Sequence, residues 1–283
     1  MVLPIVRNIE DVRSFLSPKR RASKSVGLVP TMGALHEGHL SLVRHARTEC
    51  DVVVVSIYVN PAQFAPSEDF DRYPRQFERD RELCEREGVD LLFCPTDAMM
   101  YPDGYATYVE VERLTKPLCG RSRPTFFRGV TTVVLKLFNI VSPDKAYFGW
   151  KDAQQAIVVK RMVEDLNLPI EIVAVPTVRE PDGLAMSSRN DYLDAESRQQ
   201  APAIYAALEK ARRACEQQGV GDGAALTTLI REHISSQTAG QVEYVEIASL
   251  DRLEPLEKVQ PGNTLVAVAV HLGAARLIDN IRL

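Results

Sequence analysis

Residues 52–59 read Val-Val-Val-Val-Ser-Ile-Tyr-Val. No polar alternation relieves this β-branched run, which marks a strand buried on both faces. Such a strand needs a covering layer on each side, and the chain supplies one. Ser25–Val29 is a short apolar strand, and Leu40, Leu42, Val43 and Ala46 then recur at helical spacing. Residues 77–87 read as a charged helix ending at Gly88, and residues 89–94 as a strand stopped by Pro95. Residues 131–140 read as a buried helix, 145–148 as a short strand ahead of Gly149, 154–167 as a helix and 170–175 as a strand. Alternation of this kind predicts a Rossmann-like α/β fold with a doubly wound parallel sheet. Ligands of such sheets sit beyond the carboxyl ends of the strands, at a switch point. Asn60, Gly149 and the turn after Val29 all follow strands and are expected on one rim.

After Pro176 the style changes. Residues 195–217 and 224–234 read as two helices, joined by a flexible link at residues 219–223. Residues 242–247 and 264–270 read as strands, with a last short one near Leu277. Helices followed by strands suggest a smaller C-terminal α+β domain with an antiparallel sheet. The expected division is 1–178 and 179–283. The apolar fraction of 45% and charged fraction of 25% are ordinary for a globular protein, and no apolar run is long enough to cross a bilayer. A formal net charge of −4 argues against a general nucleic-acid binder. Cys50, Cys84, Cys94, Cys119 and Cys215 are widely spaced with no Cys-x-x-Cys pair, which reads as reduced core thiols. With no signal peptide in the first residues, the expected location is cytoplasmic.

The chemistry gathers in Pro30-Thr31-Met32-Gly33-Ala34-Leu35-His36-Glu37-Gly38-His39, between a strand and a helix. A helix start offers amide donors and the positive end of a dipole, so it suits an anion. Gly33 and Gly38 allow close backbone approach, and His36 and His39 add side-chain donors. Further on, Phe148-Gly149-Trp150-Lys151-Asp152-Ala153-Gln154-Gln155 opens a helix after a strand, where a lysine can reach phosphate as a mobile point charge. Taken alone, Lys151 is also an ordinary solvated helix-start residue. Residues 186–190, Met-Ser-Ser-Arg-Asn, offer two hydroxyls and the fixed guanidinium fork of Arg189. Gln63, after the longest buried strand, and Gln155 can each donate and accept at once. That suits a hydroxy acid, and turn-capping suits them equally.

The ten-residue histidine stretch resembles the His-x-Gly-His signature of the adenylate-forming nucleotidylyltransferase superfamily, and its wider wording resembles the pantothenate synthetase (pantoate–β-alanine ligase) family. The Lys151 segment is similar to that family's Phe-Gly-x-Lys-Asp-x-Gln-Gln. Residues 187–193, Ser-Ser-Arg-Asn-Asp-Tyr-Leu, are similar to its Ser-Ser-Arg-Asn-x-Tyr-Leu, placed at the proposed domain junction where a lid hinge is useful. Further likeness covers residues 71–75 and 276–280. The departures are Trp150 where many members carry Glu, Ala153 where an aromatic is common, and Phe126 in place of a histidine.

The resemblance implies an ATP-dependent ligase that joins (R)-pantoate and β-alanine through a pantoyl adenylate, releasing pyrophosphate and then AMP. It implies that His39, His36 and Lys151 are catalytic, with His39 the first choice for donating a proton or stabilising the transition state. ATP is then expected at Met32, Gly33, Ala34, Leu35, His36, Glu37, Gly38, His39, Gly149, Trp150, Lys151, Asp152, Val178, Met186, Ser187, Ser188 and Arg189, with pantoate and β-alanine at Gln63 and Gln155. Mg²⁺ is expected on the β- and γ-phosphates, with no protein ligand assigned. A homodimer is implied, without nucleic-acid or membrane partners. Asp80 stays open between a water-mediated metal contact, a neighbour-orienting role and a plain exposed carboxylate.

Overall fold

The computed structural model describes residues 3–66, 68 and 70–283. The chain forms two compact units. The first comprises Met1–Glu112, Arg123–Trp150 and Val158–Pro176, and the second Arg113–Ser122, Lys151–Ile157 and Thr177–Leu283. In chain order the first stretch gives β1 (Ile5–Val6), α1 (Ile9–Arg21), β2 (Val26–Thr31), α2 (Glu37–Glu49), β3 (Val52–Ile57), a 3₁₀ turn at Pro61–Gln63, α3 (Phe77–Arg86), β4 (Leu91–Phe93) and α4 (Asp97–Met100). Then come α5 (Cys119–Ser122), α6 (Phe126–Val141), β5 (Lys145–Gly149), α7 (Ala153–Asp165) and β6 (Glu171–Val175).

β1 to β6 form one parallel sheet in the order β1-β4-β3-β2-β5-β6. Val52 to Val55 of β3 are all buried, as the unbroken apolar run requires. Val53 and Val55 share a core with Val29 from β2, Leu42, Val43 and Ala46 from α2, Leu92 from β4 and Tyr147 from β5. From β2 the chain steps outward to β3 and β4, then returns to place β5 on the other side of β2. The carboxyl ends of β2 and β5 therefore flank the topological switch point. The expected rim is present: the histidine turn follows β2, Asn60 follows β3 and Gly149 closes β5.

The second unit contains α5, α8 (Ala195–Gln200), α9 (Ala203–Gln218), α10 (Gly223–Gln237), β7 (Gln241–Ser249), β8 (Thr264–Leu272) and β9 (Ala275–Arg282). β7, β8 and β9 form an antiparallel sheet packed by α9 and α10. Ala207, Leu208, Ala211, Leu226 and Ile230 meet Val266, Val268 and Val270 in its core.

Three local expectations need correction. The single helix over 195–217 is two helices, because Pro202 lacks an amide donor and its ring crowds the preceding turn. The link at residues 219–223 is a pair of caps: Gly219 ends α9 at φ +67°, and the Asp222 side chain accepts from Ala225 N to start α10. The last strand is not short, since its eight residues pair along β8 from Leu265–Arg282 to Leu272–Ala275. Among the described residues, no helix is long and apolar enough to cross a membrane.

Candidate active site

In the first unit the site begins where β2 ends. Thr31 Oγ1 donates to Ser56 O at 2.8 Å and accepts from Gly33 N at 3.2 Å, tying the turn to β3. The chain then reverses through two consecutive left-handed residues, Gly33 at φ +83° and Ala34 at φ +50°. Gly33 is required twice over: its φ disfavours a side chain, and a Cβ there would lie 2.9 Å from Asp80 Oδ2. Asp80, on α3, is 1% exposed and accepts from Ala34 N at 2.9 Å and Leu35 N at 2.7 Å. Burial pushes its pKa up, and the two amides oppose that shift. Of the readings left open for Asp80, the exposed carboxylate is wrong and the neighbour-orienting one describes its contacts.

His36 is the N-cap of α2. Its Nδ1 accepts from Gly38 N at 3.1 Å, and His39 Nδ1 accepts from His36 N at 3.4 Å, a reciprocal capping box built from imidazoles. The ring centroids are 4.1 Å apart. A neutral ring that accepts at Nδ1 carries its proton on Nε2, so both rings are donors at that edge. The amides of Gly33, Ala34, Leu35, His36, Gly38 and His39 all have partners inside the protein. The turn therefore offers an anion its imidazole edges and helix dipole rather than a nest of open amides.

Gln63 lies against this turn, with Nε2 3.0 Å from Met32 Sδ. Its Oε1 accepts from Asn60 Nδ2 at 3.1 Å, and the same buried Asn60 amide donates to Gly129 O at 3.1 Å. A Cβ on Gly129 would fall 2.3 Å from Ala62 O, so only glycine lets α6 approach the Gln63 turn. Arg123 also braces this turn. It donates to Gln63 O at 3.2 Å, pairs with Glu68 and stacks over the Phe126 ring at 3.8 Å. Phe126, the departure from histidine, thus supports an arginine.

In the second unit β9 organises the remaining candidates. Asn280 Nδ2 donates to Lys151 O at 3.0 Å, which fixes the backbone of the lysine. The Lys151 ammonium is 3.7 Å from Asp152 Oδ1, a loose pair. The neighbouring Asp279 carboxylate takes a bidentate pair from Arg179 at 2.6 and 2.8 Å, and the Arg179 guanidinium lies 3.5 Å from the Tyr205 ring centroid. Arg179 bridges to Ala185, and Met186 N donates to Val178 O at 3.0 Å, closing the base of the Ser187-Ser188-Arg189 segment. Ser187 Oγ then caps Arg189 N at 3.2 Å. Lys151, Val178, Met186, Ser187, Ser188 and Arg189 are thus held within one unit by the Asp279-Asn280 pair and its partners.

The adjacent glutamines divide their work. Gln154 is buried and holds Leu114 O, Pro117 O and Cys119 N at 2.8–3.0 Å. Gln155 is half-buried on the next helical position. Arg179→Lys should lower stability by about 1–2 kcal/mol, since one bond of the fork and the ring stack are lost. On the expectation that the serine segment meets ATP, it should also weaken ATP binding several-fold by loosening that segment. Urea titration and calorimetry with ATP check both, and unchanged values in each would separate this base from the segment above it.

Gln154, Arg179, Asp279 and Asn280 were not among the expected site residues. For Asp279 and Asn280 the signal in the sequence was the likeness over residues 276–280, and Gln154 lay inside the Lys151 segment's likeness without being singled out.

Residues 4–282 match the family model described as pantoate-beta-alanine ligase. The chain is 54% identical over 276 residues to a pantothenate synthetase of Pelotomaculum thermopropionicum, covering 98% of this chain and 97% of the relative. It is 55% identical over 276 residues to that of Thermotoga neapolitana, with 98% of each covered. The crystal structure of pantothenate synthetase from Thermus thermophilus superposes with a TM-score of 0.93 at 47% identity, covering 99% of each chain. A pantoate-beta-alanine ligase from Francisella tularensis, complexed with beta-gamma ATP and beta-alanine, superposes at 0.80 with 35% identity over 99% of this chain and 97% of that one. With its strands, histidine turn and lysine turn in place and its whole length matched, the chain belongs to the pantoate–β-alanine ligase family.

Proposed function

We propose that the chain spends ATP to activate the carboxylate of (R)-pantoate as an acyl adenylate, and then passes the pantoyl group to the amine of β-alanine. A carboxylate cannot be attacked usefully by an amine, because oxide would have to leave. In the first step a pantoate carboxylate oxygen attacks the α-phosphorus of ATP and pyrophosphate departs. In the second the β-alanine nitrogen attacks the acyl carbonyl, AMP departs with the former pantoate oxygen, and the amine loses its proton.

The first step drives an anion toward a polyanion, so its chief need is fixed positive charge and donors at the phosphates. His36 and His39 supply Nε2–H donors, and Lys151, Ser187, Ser188 and Arg189 supply the rest. The observation that carries this reading is the reciprocal imidazole cap at the switch point of the sheet. It locks two rings with their donor edges defined, in a chain of this family. Met32 to Leu35, Glu37, Gly38, Gly149, Trp150, Asp152, Val178 and Met186 complete the proposed nucleotide contacts.

Among the described residues, no cluster of three or more His, Cys, Asp or Glu could hold a metal. Mg²⁺ is read as arriving on the β- and γ-phosphates of ATP, as part of the substrate, because triphosphate oxygens are its ordinary ligands. Residues 1–178 would carry nucleotide and pantoate, and residues 179–283 would act as a lid that keeps water from the adenylate. A homodimer is the assembly that the family resemblance supports.

The direct test is pyrophosphate release from ATP with pantoate alone, followed by AMP and pantothenate on adding β-alanine. Release that requires β-alanine from the start would rule out a free-standing adenylation step. Gln63 and Gln155 are assigned to pantoate. Replacing either with Ala strands a polar group of the substrate and should raise the pantoate KM by the equivalent of about 1–3 kcal/mol. ATP binding should change little, and an unaltered pantoate dependence would move the acyl pocket elsewhere.

A further inference from the structure

We propose, on that reading of the function, that Asp80 is a positioning residue for adenylation: its carboxylate holds Ala34 and Leu35 so that His36 and His39 meet the α-phosphate in fixed geometry. Asp80 touches no substrate in this assignment and acts through the turn.

Four observations converge. Both carboxylate oxygens are committed to the turn, Oδ2 to Ala34 N and Oδ1 to Leu35 N. The segment they hold carries two successive positive φ values, one of them at a residue with a Cβ, an arrangement that persists only when its surroundings impose it. Gly33 leaves the space that Asp80 Oδ2 fills, so glycine and carboxylate fit as a pair. A cavity of about 520 Å³ opens beside them, lined by Met32, Gly33, Ile57, Phe77 and Asp80 among others. Met32 and Gly33 border open space on that side, and the two charge-assisted bonds fix the Ala34 and Leu35 amides that follow. The next residues in the chain are His36 and the first turn of α2, so a displaced Ala34–Leu35 peptide displaces both rings.

The experiment compares wild type, Asp80→Asn, His39→Ala and the double variant by pyrophosphate release from ATP and pantoate without β-alanine. Asparagine keeps the shape of the side chain, yet turns one acceptor into a donor facing an amide. A shift of the turn by about 1 Å should lower kcat about 10-fold to 100-fold. The pantoate KM should stay within about twofold, and the far-UV spectrum should match wild type. A general loss of structure would not give that split. Because Asp80 acts through the histidines, the double variant should fall well short of the product of the two single losses.

Wild-type kcat in Asp80→Asn, or losses that multiply in the double variant, overturns the role. If Asp80→Asn does not accumulate folded, Asp80→Glu replaces it. The extra methylene shifts both oxygens at a position with 1% exposure, and the same outcomes are read. Wild-type protein that releases no pyrophosphate with pantoate refutes the functional reading itself, whereas an active wild type with an unaffected Asp80 variant refutes this inference alone.

Discussion

His39→Ala is expected to slow pyrophosphate release about 10²-fold to 10³-fold while the protein stays folded, the usual cost of removing one preorganised donor aimed at developing charge. His39 is the third residue of α2, and its Nδ1 accepts from His36 N. The ring is thereby held with its Nε2 proton defined before substrate arrives. Alanine is a good helix former, and Leu40, Leu42, Val43 and Ala46 keep the helix buried. The structural loss is one half of a capping box, about 1 kcal/mol. A thermal melt within a few degrees of wild type, together with the rate loss, separates chemistry from stability. His36→Ala should divide differently. His36 is the N-cap itself, so its removal should weaken both the helix start and nucleotide binding. Near-normal turnover in folded His39→Ala would remove this residue from the first step and leave Lys151 and Arg189 to carry it.

How much of this was legible before the fold was known differs from segment to segment. β3 announced itself because burial on both faces leaves no alternative to an unbroken apolar run. The histidine turn was legible because the strand, the glycines and the helix that define it are contiguous. Asp80 was legible only as one of three open readings, since it sits in Glu-Arg-Asp-Arg-Glu, a stretch that reads as solvated surface. Its partners, Ala34 and Leu35, come from another βα unit and meet it only when the start of α3 lies against the turn after β2. The same distance hid the Asp279-Asn280 pair, whose role exists only once β9 runs past the Lys151 turn. Gln154 and Gln155 look interchangeable in sequence, and only the helix phase sends one into the 113–119 segment. At Pro202 the signal was present, but the Ala- and Glu-rich sequence on both sides kept a helical pattern through it.

Lys151→Ala is expected to be the second large loss, again about 10²-fold to 10³-fold at saturating substrates, with ATP binding weakened as well. Trp150→Ala should be several-fold at most. The two residues share a 3₁₀ turn between β5 and α7, so the comparison holds local backbone roughly constant. Asn280 fixes the Lys151 carbonyl, while the ammonium lies 3.7 Å from Asp152, too far for a strong bond. The backbone is thus anchored and the charge only loosely engaged, as a phosphate-binding lysine requires. In the family pattern that the sequence resembles, glutamate often stands at the Trp150 position, and the two side chains share no chemistry. A position that accepts both is one that a nucleotide meets through its backbone, next to Gly149, where a Cβ would have open space around it. Lys151→Arg should recover only part of the activity, because a planar fork cannot replace a compact, mobile ammonium. Calorimetry with ATP, run beside the pyrophosphate assay, distinguishes lost binding from lost rate. If Trp150→Ala proves the worse of the two, the indole itself packs on the nucleotide, and the acidic residue of the relatives and the tryptophan of this chain hold ATP by different means.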